Sequence, residues 1–209
     1  FNVITGHSKP DRYDYLITSP RDMRNQLMAM MQQEAENARK GLPCGIVLKV
    51  NSLEDQRTIE ELYKTSKAGV PIRLIVRGIC CLRPGRTELS ENISVKSIVG
   101  DLLEHTRLYY FHNAGEPLVY GGSADMMNRS FDRRLESLFR ITDPNLLRLT
   151  VGILNFNLLD NVNSYHMTED GSYIKYQLQE GEEEVNIHKL FFSMKESDLK
   201  SSTLFRSEE

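Results

Sequence analysis

Two short apolar runs, Cys44-Gly45-Ile46-Val47-Leu48-Lys49-Val50 and Ile72-Arg73-Leu74-Ile75-Val76, enclose a stretch of helical periodicity. Runs this short and nearly continuous read as strands covered on both faces. Between them Ile59, Leu62 and Tyr63 form a buried side and Lys64 and Lys67 point outward, with Asn51-Ser52 as the cap and Gly69-Val70-Pro71 as the stop. Strand, helix and strand in this order demand a right-handed crossover and a parallel pair. The chain is therefore expected to be α/β rather than a sandwich.

The flanking segments fit such a sheet. Ser19 and Pro20 are read as the cap and first position of a helix carrying Met23, Leu27, Met30 and Met31 at helical spacing, the methionines as core filling. Asn92–Val99 is expected to be a third strand, and Asp101–Glu104 a brief helical turn. Thr106–His112 and Leu118–Tyr120 form a hairpin around Asn113-Ala114-Gly115-Glu116-Pro117, whose Asn and Gly tolerate positive φ. Arg134–Ile141 alternates as a strand, Thr142-Asp143-Pro144 caps a helix running to about Leu158, and Ser172–Gln177 is a short strand. After an acidic stretch at Glu180–Glu184, residues from Ile187 to Met194 are amphipathic.

No apolar run approaches a transmembrane span, and the start lacks a signal pattern. A cytoplasmic protein without an integral membrane segment is expected, peripheral association being left open. The odd cysteine count, Cys44 and Cys80-Cys81, is read as buried reduced thiols. A formal charge of -3 argues against a nucleic-acid partner, although Arg73–Arg86 carries four arginines and no acid. The chain opens on Phe1 without Met, as if excised from something longer.

Leu103–Asp125 holds the chemistry. His105 and Arg107 share a face if the segment is a strand, because the side-chain period is two. Two cations on one face repel, so either the imidazole is neutral or an anion lies between them. Gly121-Gly122-Ser123-Ala124-Asp125 offers small residues, a hydroxyl and backbone donors for an oxyanion or phosphate. Asp125 could hold the histidine or orient a loop. Arg77-Gly78 lies at the C-terminal end of a parallel strand, where open α/β sheets bind ligands. Arg129, Arg133 and Arg134 would extend the anion surface, with Asp132 able to neutralise one of them. His7, His112, His166 and His188 lie without ligands at metal spacing, and no P-loop or dinucleotide-binding motif is present.

The runs LIVRGIC (74–80), LEHTRLYYF (103–111) and GGSADMMNRSFDRRLE (121–136) closely resemble the C-terminal catalytic region of bacterial polyphosphate kinases of the first family, as does SPRDMRNQLMAMMQQEAENARKGLP before them. The resemblance spans roughly residues 12–160. It implies a phospholipase-D-like mixed sheet flanked by helices, in a domain over 20–195, with 1–19 a leader from a preceding domain and 196–209 a frayed tail.

It also implies reversible transfer of the terminal phosphate of ATP to inorganic polyphosphate through a phosphohistidine in an upstream domain of the same polypeptide. His7 is not expected to be that nucleophile. His105 matches the family's second active-site histidine, an acid or electrostatic partner, and Arg77 an arginine that contacts nucleotide phosphates. Arg107 takes the place of the lysine in the phospholipase-D-like signature and Asp125 that of its terminal Asn or Asp. Ser123 and Arg129 are expected, from the residues alone, to be further phosphate contacts. ATP or ADP with Mg2+ is implied, the metal's ligands lying upstream, together with a homo-oligomer in full-length form. The isolated chain is expected to be inactive. A phospholipase-D-like phosphodiesterase half-site with His105 as nucleophile, and a non-catalytic polyanion-binding module, remain alternatives.

Overall fold

The computed structural model describes Thr5, His7, residues 13–200 and Leu204. Its elements are β1 (Leu16–Thr18), α1 (Met23–Arg39), β2 (Ile46–Val50), α2 (Gln56–Lys67), β3 (Ile72–Val76), β4 (Ile93–Ile98), β5 (Leu108–Phe111), a 3-10 turn (Asn113–Gly115), β6 (Leu118–Gly122), α3 (Asn128–Asp132), β7 (Ser137–Arg140), α4 (Pro144–Leu159), β8 (Ser164–Met167), β9 (Tyr173–Lys175), α5 (Ile187–Ser193) and α6 (Glu196–Lys200). The strands form one sheet in the order β1-β7-β6-β5-β2-β3-β4-β8-β9. The crossover expected from sequence is present: β2 pairs parallel with β3, and β3 with β4. All other pairings are antiparallel, so the sheet is mixed.

Alternation along the central strands divides the core. Ile46, Leu48, Val50, Leu74, Val76, Tyr109 and Phe111 pack with Met23, Leu27, Met31 and Leu62 of α1 and α2 on one face. Val47, Leu108, Tyr110 and Val119 pack with Leu154 of α4 and with Leu204 on the other. The strands flanked on both sides are almost wholly apolar, as their composition required.

Several local expectations are corrected. Ser19 does not cap α1: its hydroxyl donates to the Arg134 carbonyl at 2.8 Å and accepts from Glu136 N at 3.1 Å, which pins β1 to the approach of β7. The cap of α2 is Asp55, whose Oδ1 accepts from Thr58 N at 2.9 Å and Thr58 Oγ1 at 2.7 Å, leaving Asn51 and Ser52 outside the helix. Strand β8 was hidden in a polar stretch. Cys81 is exposed, because the chain has left the sheet at Val76. Asp143 caps α4 as anticipated, accepting from Asn145 N and Leu146 N.

The two ends of the chain also take part in the fold. Leu16–Thr18, inside the stretch read as a leader, is an edge strand paired with β7. Within the expected frayed tail, α6 rests on α4, and Leu204 is buried while its carbonyl accepts from Arg73 Nη1 at 2.8 Å. Positions 1–4, 6, 8–12, 201–203 and 205–209, also covered by those two expectations, lie outside the described residues.

Gly152 makes the α4–α6 contact possible, since a Cβ there would stand 2.2 Å from the Leu199 carbonyl oxygen. Gly152→Val is expected to cost about 1–3 kcal/mol, the usual penalty of overpacking. It should also accelerate amide exchange over residues 196–200, and unchanged exchange there would contradict this packing.

Candidate phosphate-binding site

The sheet topology gathers the candidate residues at one end. Parallel strands β2 and β3 finish together at Val50 and Val76. Antiparallel β5 begins there, with Leu108 opposite Lys49, and β6 ends there, with Gly121 opposite Leu108. Asn51, Arg77, the segment before β5 and the segment after β6 therefore converge.

At the centre lies Asp125, only 8% exposed. Its Oδ1 accepts from Asn51 N at 2.7 Å, Asn51 Nδ2 at 3.3 Å and Arg107 Nε at 3.2 Å, while Oδ2 accepts from Arg107 Nη2 at 3.0 Å. This two-pronged pair fixes the plane of the guanidinium. Asn51 passes the connection on, its Oδ1 accepting from Arg77 Nε at 2.9 Å. Gly78 lets the chain pass close to Asn51: a Cβ there would be 3.0 Å from the Asn51 carbonyl oxygen. Asp125 thus orients cations, and does not hold His105.

His105 and Arg107 precede β5 rather than lying on it, so strand alternation does not bring them together. Arg107 does so itself. Its Nη1 donates to the His105 carbonyl at 2.9 Å and lies 3.1 Å from His105 Nδ1. A guanidinium has donors only, so Nδ1 is the acceptor and the ring proton resides on Nε2. The imidazole is neutral in this arrangement, which is how the two potential cations coexist.

Beneath this layer is a buried group that the sequence reading missed. Lys49 forms an ion pair with Glu104 at 2.9 Å and donates to Thr106 Oγ1 at 3.0 Å. Burial pushes its pKa down, Glu104 pulls it up, and nearby Arg77 and Arg107 also lower it. Glu104 Oε1 lies 3.1 Å from Nε2 of buried His188, whose Nδ1 accepts from Leu102 N at 3.4 Å. His188, read only as lacking ligands at metal spacing, has a carboxylate partner distant in sequence. A lone lysine in the apolar β2 run was the available signal, because a charge in a strand covered on both faces needs a partner. Glu104, which proximity in sequence offers as a carboxylate for His105, is instead held by Lys49 and by His188, 84 residues away, and nothing in the sequence marked that pairing.

His105, Arg107 and Ser123 border an open cleft of about 550 Å³ whose apolar side includes Leu108, Gly121 and Phe139. The backbone nest is partly consumed: Gly122 N donates to the Arg107 carbonyl and Ser123 N to the Ser137 carbonyl. The Ser123 hydroxyl accepts from Ser137 N at 3.2 Å and retains its own proton for donation. Arg77 uses only Nε within the described residues, leaving Nη1 and Nη2 to donate.

Arg129 is exposed on α3 and joins none of these bonds. Asp132 pairs with Arg24 rather than with Arg129, Arg133 or Arg134, and Arg24 in turn binds Asp55 at 2.9 Å. The four arginines between 73 and 86 are likewise divided: Arg73 and Arg86 donate to carbonyls of Leu204 and Glu169, the Arg83 guanidinium lies against Gly171, and Arg77 alone reaches this network.

Among the described residues no cluster of three or more His, Cys, Asp or Glu side chains is arranged to hold a metal. The carboxylates nearest the cleft are engaged by cations, Asp125 by Arg107 and Glu104 by Lys49, and do not fit a Mg2+ site. No described helix is long and apolar enough to cross a membrane.

The mixed sheet with helices on both faces is a phospholipase-D-like fold, and it carries the His-X-Arg segment beside a Gly-Gly-Ser-X-Asp turn. A phospholipase D family member, Nuc from Salmonella typhimurium, has the same fold, with a TM-score of 0.52 and 12% identity over 73% of this chain and 96% of that one. Residues 16–188 match the family model for polyphosphate kinase C-terminal domain 2, and the chain belongs to that family. A polyphosphate kinase from Synechocystis sp. is 46% identical over 175 residues, covering 84% of this chain and 24% of the relative. The crystal structure of polyphosphate kinase from Porphyromonas gingivalis superposes with a TM-score of 0.88 at 33% identity, over 96% of this chain and 31% of that one. The chain thus spans about a quarter of the length of the curated relative.

Proposed function

We propose that this domain supplies one wall of a phosphoryl-transfer site in a polyphosphate kinase, which reversibly moves the terminal phosphate of ATP to inorganic polyphosphate. The phosphorylated histidine belongs to an upstream domain of the same polypeptide, within a homo-oligomeric full-length enzyme. Phosphoryl transfer asks a protein chiefly for positioning and for neutralisation of oxygens that gain charge. Arg77 Nη1 and Nη2, the Ser123 hydroxyl and His105 Nε2–H are donors without partners among the described residues at one end of the sheet. Arg107, already paired with Asp125, adds positive potential and holds His105; Arg129 extends the phosphate path outward.

The observation that carries the assignment is the Arg107–His105 contact. With Nδ1 accepting, Nε2 bears a proton, and this neutral imidazole is suited to donate a hydrogen bond that stabilises the charge developing on the leaving oxygen of ADP as the γ-phosphoryl departs, while keeping its proton. A nucleophilic histidine needs the opposite arrangement, a lone pair on the cleft-facing nitrogen, and this weighs against the phosphodiesterase half-site. Magnesium accompanies the nucleotide and would offset the charge of its phosphate oxygens.

The isolated chain, lacking the nucleophile, is expected to show no ATP-dependent polyphosphate synthesis. Measurable turnover by the 209-residue chain alone would overturn the division of the site between domains.

A further inference from the structure

His105 stands on an irregular segment, and its geometry is nevertheless defined by contacts on both sides of it in sequence. Buried Lys49 of β2 reaches both neighbours: Nζ is 2.9 Å from Glu104 Oε2, 3.0 Å from Thr106 Oγ1 and 3.5 Å from the Thr106 carbonyl oxygen. The side chain of Lys49 is 3% exposed, so the ammonium has little water to replace these acceptors. Glu104 is fixed a second time by His188 at the start of α5. Gly100 leaves room for that ring, since a Cβ there would lie 2.6 Å from His188 Nδ1.

We infer that Lys49 is a positioning residue for His105, gripping residues 104 and 106 so that the imidazole stays against Arg107 with its proton on Nε2. The Glu104–His188 contact anchors the same grip to α5. An ammonium is needed because it is a single group able to donate three bonds, here to a carboxylate, a hydroxyl and a carbonyl. An apolar side chain would fill β2 equally well and would leave the segment before β5 free to move. The inference deepens the role proposed for His105, yet concerns a property of the resting domain.

The test is long-range 1H–15N correlation spectroscopy of His105 in the 209-residue chain, assigned by comparison with His105→Gln. The wild-type chain should show a predominant Nε2–H tautomer, with widely separated ring-nitrogen shifts. Lys49→Met should draw the two shifts together as tautomers and ring orientations mix. Thr106→Val, on an exposed segment, should move them in the same direction by a smaller amount and serves if Lys49→Met does not fold. His105 shifts unchanged in folded Lys49→Met, or in Thr106→Val where the former does not fold, would overturn the inference. Failure of the His105 catalytic role would appear separately, as normal transfer by His105→Ala in a full-length kinase, and would leave these spectra unaffected.

Discussion

Asp125→Ala is expected to lower the unfolding free energy of the domain by about 3–5 kcal/mol, the cost of removing one partner from a largely buried ion pair. The truncation strands the Arg107 guanidinium, whose side chain is 14% exposed, and leaves the Asn51 backbone N–H without its 2.7 Å acceptor. Asp125→Asn should fall between, since its amide oxygen can still accept from Asn51 while its NH2 opposes the guanidinium. Urea unfolding of the three proteins gives the ranking. A loss below about 1 kcal/mol for the alanine variant, in the range of an exposed ion pair, would mean that Asp125 does not organise the site.

The largest effects on chemistry are expected at His105 and Arg77. In a full-length polyphosphate kinase carrying this chain as its matching segment, His105→Ala should lower kcat by about 10²–10³-fold, the usual contribution of one donor aimed at developing charge. Alanine removes that donor and leaves the Arg77 guanidinium in place, so the KM for ATP should change far less. Arg77→Ala should cost about 10²–10³-fold, as expected for loss of a donor aimed at developing charge, and should also weaken nucleotide binding. Normal kcat in His105→Ala would leave the domain as a polyanion-binding surface.

Much of this architecture was legible in the sequence. Apolar runs at 46–50 and 72–76 demanded the parallel pair, and the turn residues at 113–117 demanded the hairpin, whose turn holds Asn113 and Gly115 at positive φ. The candidates His105, Arg107, Ser123 and Asp125 were visible as a motif because they lie on one hairpin and its flanks. Partners distant in sequence were not visible: Asn51 meets Asp125 across 74 residues, and Glu104 meets His188 across 84. Local capping also misled where tertiary demand was stronger. Ser19 and Asn51 are good cap residues, but one ties β1 to the segment before β7 and the other bridges Arg77 to Asp125.

Polarity alone likewise could not separate structural from chemical charge. Arg24 and Asp132 look like solvated surface groups, yet they join α1 to α3, and Phe131 lies 5.1 Å beneath the Arg24 guanidinium. Conversely, Lys49 is hidden in an apolar run and lies directly under the candidate site. Its contacts became predictable only once β5 was placed beside β2.

The most direct test of the central claim is to locate the phosphoryl group during turnover. A full-length kinase carrying this domain would be incubated with γ-labelled ATP, quenched in base and digested, and its phosphohistidine mapped by mass spectrometry. The label is predicted on a histidine of the upstream domain, with His105 unmodified. Label on His105 would make that residue the nucleophile and contradict its assignment as the hydrogen-bond donor to the leaving oxygen.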